Sequence, residues 1–217
     1  MMIDTQKIFE HDKALLNDKI KYIAGIDEVG RGPLAGPVVT ACVVMPYDEM
    51  LIGVFDSKKV TKKNRERLFE EIKNKAISYS ISVKDQDVID EINILNATKV
   101  SMKESFSSLS VKPDILLVDA VKLNICENEM AIIKGDATSY AIACASILAK
   151  VYRDKLMEDY SKTYPNYDFE NNVGYGTKKH IEAIKNYGIT PIHRLSFLSK
   201  IIGEEKCKAI SMERKAK

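Results

Sequence analysis

Hydrophobic positions along this chain follow two spacings, and the switches between them mark its elements. Residues 22–28 and 37–45 are apolar runs joined by a turn rich in Gly and Pro. The β-branched Val38, Val39, Thr40, Val43 and Val44 support the second as a strand. Residues 77–83 alternate Ile77, Tyr79, Ile81 and Val83 with Ser78, Ser80 and Ser82, which predicts a strand of period two. Residues 115–119 are apolar on both faces and end in Asp119, the pattern of a buried parallel strand. A fifth, short strand is expected at 130–134.

Helical spacing fills the intervals. Residues 1–20 read as a short polar helix with modest packing. Thr61 is placed to cap a helix that runs to about Ala76. Residues 87–109 read as one helix broken near Asn93, or as two. A long helix is expected over 139–161, with the stripe Ile142, Ala145, Leu148, Ala149, Tyr152, Leu156 and Tyr160 at helical spacing. Its first half holds Ala141, Ala143, Cys144, Ala145 and Ser146, small enough for close approach to a sheet. Residues 165–175 read as a loop, 177–187 as a helix stopped by Gly188 and Pro191, and the chain closes in a short helix and a basic tail. Neighbouring strands first, then strands alternating with helices, predict an α/β fold: a mixed five-stranded sheet, part antiparallel and part parallel, covered by helices.

The 217 residues fit a single domain, with a helical segment at about 1–20 and a helical subregion at about 163–217. A hydrophobic fraction of 45% is ample for a core. The formal net charge of only +2 does not announce a polyanion binder, so the basic residues must be located rather than counted. They gather in 58–75 and in the tail from Lys200, each of which faces a polyanion or is a solvated surface. Cys42, Cys126, Cys144 and Cys207 lack zinc-site spacing, and Cys42 and Cys144 read as buried free thiols. The N-terminal residues show no signal-peptide pattern, and no apolar run reaches the roughly 20 residues of a membrane span. The expectation is a soluble protein of a reducing compartment, without membrane contact.

Three apolar stretches end in acids: Asp27-Glu28, Asp119 and Asp136. Carboxylates at strand ends can converge on one sheet edge, where they would repel and raise one another's pKa. Hard divalent cations such as Mg²⁺ and Mn²⁺ take oxygen ligands and would relieve that repulsion. A two-metal site of this kind serves phosphoryl displacement. Asp136 stands before a helix N-terminus, whose dipole favours the ionised form. Taken singly, Asp119 or Asp136 is more often a turn former or cap. The Gly30-Arg31-Gly32 turn beside the acidic pair, with its cationic fork, shifts the joint reading towards a phosphate ester. Adjacent strand side chains point to opposite faces, so whether Glu28 joins Asp27 by its side chain or offers its backbone carbonyl is open.

DEVGRGPLAGPVV from Asp27, DSK from Asp56, LLVDA from Leu116, KGDATSYAIACASILAKVYRD from Lys134 and GYGTKKH from Gly174 together resemble the motif series of ribonuclease HII, a type 2 ribonuclease H family. The resemblance runs from about Tyr22 to Phe197. The sister family, ribonuclease HIII, differs after the acidic pair and usually carries a further N-terminal domain. The resemblance implies a ribonuclease H-like fold with a helical C-terminal extension. It implies hydrolysis of the RNA strand of RNA–DNA hybrids and incision 5′ to single ribonucleotides in duplex DNA, leaving 3′-hydroxyl and 5′-phosphate ends. It also implies two divalent cations, Mn²⁺ or Mg²⁺, and a cytoplasmic monomer. The family's four acids fall on Asp27, Glu28, Asp119 and Asp136, its glycine element on Gly30, Arg31 and Gly32, and its tyrosine on Tyr175. RNA differs from DNA by its 2′-OH, which backbone groups of a glycine turn can contact. Tyr175, between Gly174 and Gly176, is placed to stack at an RNA-to-DNA junction.

Lys58, with Lys59 and Lys62, is a candidate for phosphate contact or simple surface. Arg153 and Asp154 are expected as a structural ion pair, His180 as a helix cap or orienter, His193 with Arg194 as a fixing point for the C-terminal turn, and His11 as surface. Ser139 and Ser146 have no partners for a serine nucleophile. A DNA nuclease of the same broad fold and a non-catalytic hybrid binder stand as alternatives.

Overall fold

The structure, a computed structural model, describes residues 2–215. The helices are α1 (Met2–Lys13), α2 (Lys62–Lys75), α3 (Gln86–Ser107), α4 (Tyr140–Thr163), α5 (Phe169–Asn172), α6 (Lys178–Tyr187), α7 (Ser199–Ile202) and α8 (Glu204–Lys215). The strands are β1 (Ile23–Val29), β2 (Val38–Val44), β3 (Ser78–Lys84), β4 (Ile115–Asp119) and β5 (Glu129–Ile132). They form one mixed sheet in the order β3-β2-β1-β4-β5. No helix among the described residues is long and apolar enough to cross a membrane. The chain divides into two compact units. The first is Met1–Val29, Val39–Val83 and Thr98–Tyr152; the second is Gly30–Val38, Lys84–Ala97 and Arg153–Lys217.

In the first unit β1 runs antiparallel to β2, with Glu28 opposite Thr40, and parallel to β4, with Ile26 beside Val118. β4 in turn runs parallel to β5. One sheet face packs Ala24, Ile26, Cys42, Val44, Leu116 and Val118 on Met102 and Phe106 of α3. The other meets α4. A Cβ on Gly25 would lie 2.1 Å from the Ala141 carbonyl carbon, so the missing side chain lets β1 touch the α4 backbone, as the small residues of that helix predicted.

Two sequence expectations need correction here. The expected helix over 1–20 ends at Lys13, and its packing is not modest: Ile8 and Phe9 are buried. Phe9 meets Tyr47 and Tyr140 with ring centroids 5.3 and 5.1 Å apart. The sparse polar pattern hid this because Thr5 and Asp12 are themselves buried. Asp12 accepts from Tyr47 Oη at 3.0 Å, Ser139 Oγ at 2.8 Å and the Ala141 N–H at 2.9 Å, capping α4 from another helix. Strand β3 has the expected period, and its serine face is the buried one. Ser78 Oγ lies 3.0 Å from Ser110 Oγ, Ser82 Oγ donates to Glu104 at 2.9 Å, and Ser80 bonds the Ser105 carbonyl. Tyr79 and Val83 face out.

In the second unit, Ala35, Met157, Tyr167, Phe169, Ile184, Ile192 and Leu198 form one cluster, and Val38, Ile89 and Ala97 another. The segment expected as a loop at 165–175 contains a 3₁₀ turn, Pro165–Tyr167, and α5. The expected basic tail is helical, as α7 and α8, with Glu204 and Glu205 in the first turn of α8. Helix α3 breaks at Asn93, whose φ is 65° and whose Oδ1 accepts from the Asn96 N–H, so Asn93 caps the helix that follows it. Thr61 caps α2, and Thr177 and Gly188 bound α6, as the sequence indicates.

Candidate active site

The parallel register fixes the first pair of acids. One step beyond Ile26 and Val118, Asp27 and Asp119 stand side by side at the ends of β1 and β4. Asp27 is 5% exposed and its Oδ1 accepts from the Glu28 N–H at 2.7 Å. Burial, then the charges of Glu28 and Asp119, push its pKa well above the carboxylate range, while a hydrogen bond with Ser146 opposes them. Ser146 is itself 2.9 Å from Ser57, so two buried hydroxyls line up behind Asp27. Glu28 is half-buried and close enough to act on Asp27. Asp119 Oδ1 accepts from the Gly135 N–H at 2.6 Å.

Asp136 sits in a 3₁₀ turn, Gly135–Ala137, entered through Lys134 at φ 56°. Burial is the largest influence and pushes its pKa up, Asp56 adds to this, Lys58 opposes, and Asp119 adds again. Asp56 is thus a fifth carboxylate close enough to act on Asp136. Asp56 and Ser57 were not among the expected site residues, although the DSK motif contains them. Lys58 is exposed and acts electrostatically on Asp136. The donor set is all carboxylate oxygen with mutual repulsion, which suits hard divalent cations. Among the described residues, no three Asp, Glu, His or Cys side chains close on one point, so the acids form an open array rather than a finished cage.

In the second unit Gly30 has φ 95°, and a Cβ there would fall 2.3 Å from Arg153 Nε. Arg153 and Arg194 are fully buried. Arg153 donates to the carbonyls of Pro37 at 2.9 Å, Val173 at 2.9 Å and Ala35 at 3.2 Å, so its fork serves the backbone, while the charge of neighbouring Asp154 favours its protonated form. Arg194 donates to the carbonyls of Gly30 at 2.6 Å, Gly36 at 2.9 Å and Arg31 at 3.1 Å. Burial lowers Arg153 to about 10 and Arg194 to about 9, which leaves both protonated at neutral pH. Tyr175 is 45% exposed, and its Cε1 lies 3.5 Å from where a Gly32 Cβ would be. The structure thus groups Asp27, Glu28, Asp119, Asp136 and Lys58 in one unit, and Gly30, Arg31, Gly32 and Tyr175 in the other. The role of Arg194 in holding the turn was not read from the sequence, because a buried Arg on backbone carbonyls has no patterned partner.

The family profile described as Ribonuclease HII matches residues 24–200. A ribonuclease HII of Caldicellulosiruptor bescii is 53% identical over 200 residues, covering 92% of this chain and 97% of that one. The chain belongs to the ribonuclease HII family. The crystal structure of ribonuclease H2 from Pyrococcus horikoshii OT3 superposes with a TM-score of 0.72 at 29% identity, covering 86% of this chain and 99% of that one. Bst-RNase HIII in complex with Mn²⁺ shares the fold, with a TM-score of 0.64 at 18% identity over 89% of this chain and 71% of that one. As a member of that family, the chain is a ribonuclease H-family hydrolase, and the family acts on nucleic acid with divalent metals. Its ribonuclease H-like sheet agrees with the sequence expectation.

Proposed function

We propose that this protein cuts the RNA strand of RNA–DNA hybrids and incises 5′ to single ribonucleotides in duplex DNA. The observation that carries the reading is the side-by-side placement of Asp27 and Asp119 at the ends of parallel strands, with Glu28 adjacent and the turn that carries Asp136 bonded to Asp119 through the Gly135 N–H. Asp27, Glu28, Asp119 and Asp136 are the groups that would hold two divalent cations, Mn²⁺ or Mg²⁺. Such ions supply charge neutralisation and a more acidic water for in-line displacement at phosphorus.

In the reaction a water oxygen bonds to phosphorus and the bond to the 3′-oxygen breaks. That oxygen gains a proton, leaving 3′-hydroxyl and 5′-phosphate ends. Asp27, held by the Glu28 N–H and Ser146, and Asp119, held by Gly135, present fixed oxygens. Gly30, Arg31 and Gly32 read the ribose 2′-OH with backbone groups, Tyr175 stacks at the RNA-to-DNA junction, and Lys58 contacts a phosphate. The protein acts as a cytoplasmic monomer.

The test is cleavage of a DNA duplex containing one ribonucleotide, with Mg²⁺, Mn²⁺ or chelator, beside an all-DNA duplex. Expected are metal-dependent cutting 5′ to the ribonucleotide, no cutting of all-DNA, and a loss of at least about a hundredfold in Asp27→Asn and Asp119→Asn. Cutting of the all-DNA duplex would favour a DNA nuclease, and binding without turnover a hybrid binder.

A further inference from the structure

Thr190, His193, His180 and Tyr175 form one hydrogen-bonded line inside the second unit, and its proton positions follow from chemistry. The Thr190 N–H can only donate, and it lies 2.9 Å from His193 Nδ1. The Tyr175 carbonyl can only accept, and His180 Nδ1 lies 2.9 Å from it. His193 Nδ1 is therefore bare, and His180 Nδ1 carries a proton. The two rings meet Nε2 to Nε2 at 3.0 Å, a contact that needs one proton, which His193 supplies. Both rings are then neutral and all four nitrogens are bonded. The pair is fully buried, with Phe169 set edge-on to His180 at 5.3 Å and Tyr167 5.4 Å from His193.

The next residue in the chain is Arg194, whose guanidinium holds the Gly30 and Arg31 carbonyls. In a trans peptide the C=O and N–H point in opposite directions, and no described peptide is cis. Drawing the Gly30 oxygen to Arg194 turns the Arg31 N–H the other way, and drawing in the Arg31 oxygen does the same for the Gly32 N–H. Two successive amides are thereby aimed away from the guanidinium.

We propose that the His193-Arg194 dipeptide is the positioning element of the ribonucleotide reader. Arg194 sets the peptide planes of the Gly30-Arg31-Gly32 turn, and His193, through His180, sets the backbone from which Tyr175 projects. The assignment rests on the reading of that turn and of Tyr175 given above. One backbone step ties the two parts together, and the turn and the Tyr175 ring are neighbours: a Cβ at Gly32 would stand at ordinary contact distance, 3.5 Å, from the ring. Neither His193 nor Arg194 touches a reacting atom in this role.

Two substrates separate the two arms: a duplex with one ribonucleotide, and a hybrid whose RNA strand is continuous and lacks the junction. His193→Gln should lower kcat/KM about tenfold on the first and less than about twofold on the second. Arg194→Lys should lower both about tenfold, since both substrates carry the 2′-OH. In a Tyr175→Ala background, His193→Gln should cost nothing further on the single-ribonucleotide duplex, because the two act as one unit. A loss in His193→Gln that is equal on both substrates, or that adds to that of Tyr175→Ala, overturns the proposal, as does undiminished turnover in Arg194→Lys. Should a variant fail to fold, nitrogen NMR of the wild-type rings decides. Protons on His180 Nδ1 and His193 Nε2 at neutral pH support the relay, and the opposite tautomers or a charged ring overturn it. A wild-type protein that cuts all-DNA as fast as the ribonucleotide duplex would sink the proposed function instead.

Discussion

The backbone N–H of Gly135 donates to Asp119 Oδ1 at 2.6 Å, tying the end of β4 to the turn that carries Asp136. A Cβ at Gly135 would stand 3.1 Å from that oxygen and 2.6 Å from Ile142 Cδ1. The Ile142 tip can rotate; the carboxylate must shift. Gly135→Ala is therefore expected to lower kcat by about 10- to 100-fold, the range seen when a ligand's supporting contact is lost. Steady-state kinetics, with circular dichroism to confirm folding, check this, and an unchanged kcat would detach Asp119 from the chemistry.

Gly25 makes a stability prediction. Its added Cβ would meet backbone atoms of Ala141 and Ile142 at 2.1–2.4 Å, and backbone cannot rotate away. Gly25→Ala should destabilise by about 1–3 kcal/mol or more through overpacking. Urea unfolding measures it, and a change below about 0.5 kcal/mol, the level of an ordinary surface substitution, would contradict the close approach of β1 and α4.

Asp12 gives a second stability test. Asp12→Ala strands three donors, from Tyr47, Ser139 and Ala141. Each buried group left unsatisfied costs about 1–3 kcal/mol, so a loss of at least about 2 kcal/mol is expected. Because burial raises the Asp12 pKa, part of the cost of holding its charge is relieved in the variant, which keeps the net loss below the simple sum. An unfolding midpoint equal to wild type would mean that α1 docks without this cap.

The histidine pair predicts a pH dependence. Burial, with the neighbouring His180, lowers His193 to about 3, and burial lowers His180, against about 6.5 in an unfolded chain. Between those values the unfolded chain binds more protons. The contribution is thus complete above about pH 6.5 and drains as pH falls towards about 3. The raised carboxyls Asp27 and Asp136 tilt stability the other way, but equally in any variant that leaves them intact. The melting temperature should therefore fall more steeply from about pH 7 to about pH 5 in wild type than in His193→Gln. Parallel curves would show that the pair is not held neutral.

The sequence carried the parts of the fold that repeat a local rule. Thr61, Thr177 and Gly188 bound helices as their chemistry requires, and the run at 115–119 is strand β4 to the residue. The break at Asn93 was legible because Asn tolerates a positive φ. Illegible were features that depend on a distant partner. The alternation of β3 marked a strand but not its buried face, which is the serine face because Ser105 and Glu104 supply its hydrogen bonds. Asp12 looked like a polar-helix residue until Tyr47 and Ser139 claimed it. Of the candidate site, the acids were visible as strand-end carboxylates, while Asp56, Ser57 and Ser146 around them were not. A hydroxyl that steadies a carboxylate leaves no periodic trace.

Arg153 and Arg194 spend their hydrogen bonds on backbone oxygens, and that choice bears on how such a protein can diverge. A carbonyl is present whatever side chain a residue bears. Exchanges at Arg31, Ala35 or Val173 that keep the local backbone would leave both arginines gripped, whereas loss of either arginine releases several peptides at once. Mutational tolerance should therefore be lopsided within this one cluster: broader at Arg31, Ala35 and Val173, and narrow at the two arginines and at Gly30 and Gly36, where a Cβ has no room.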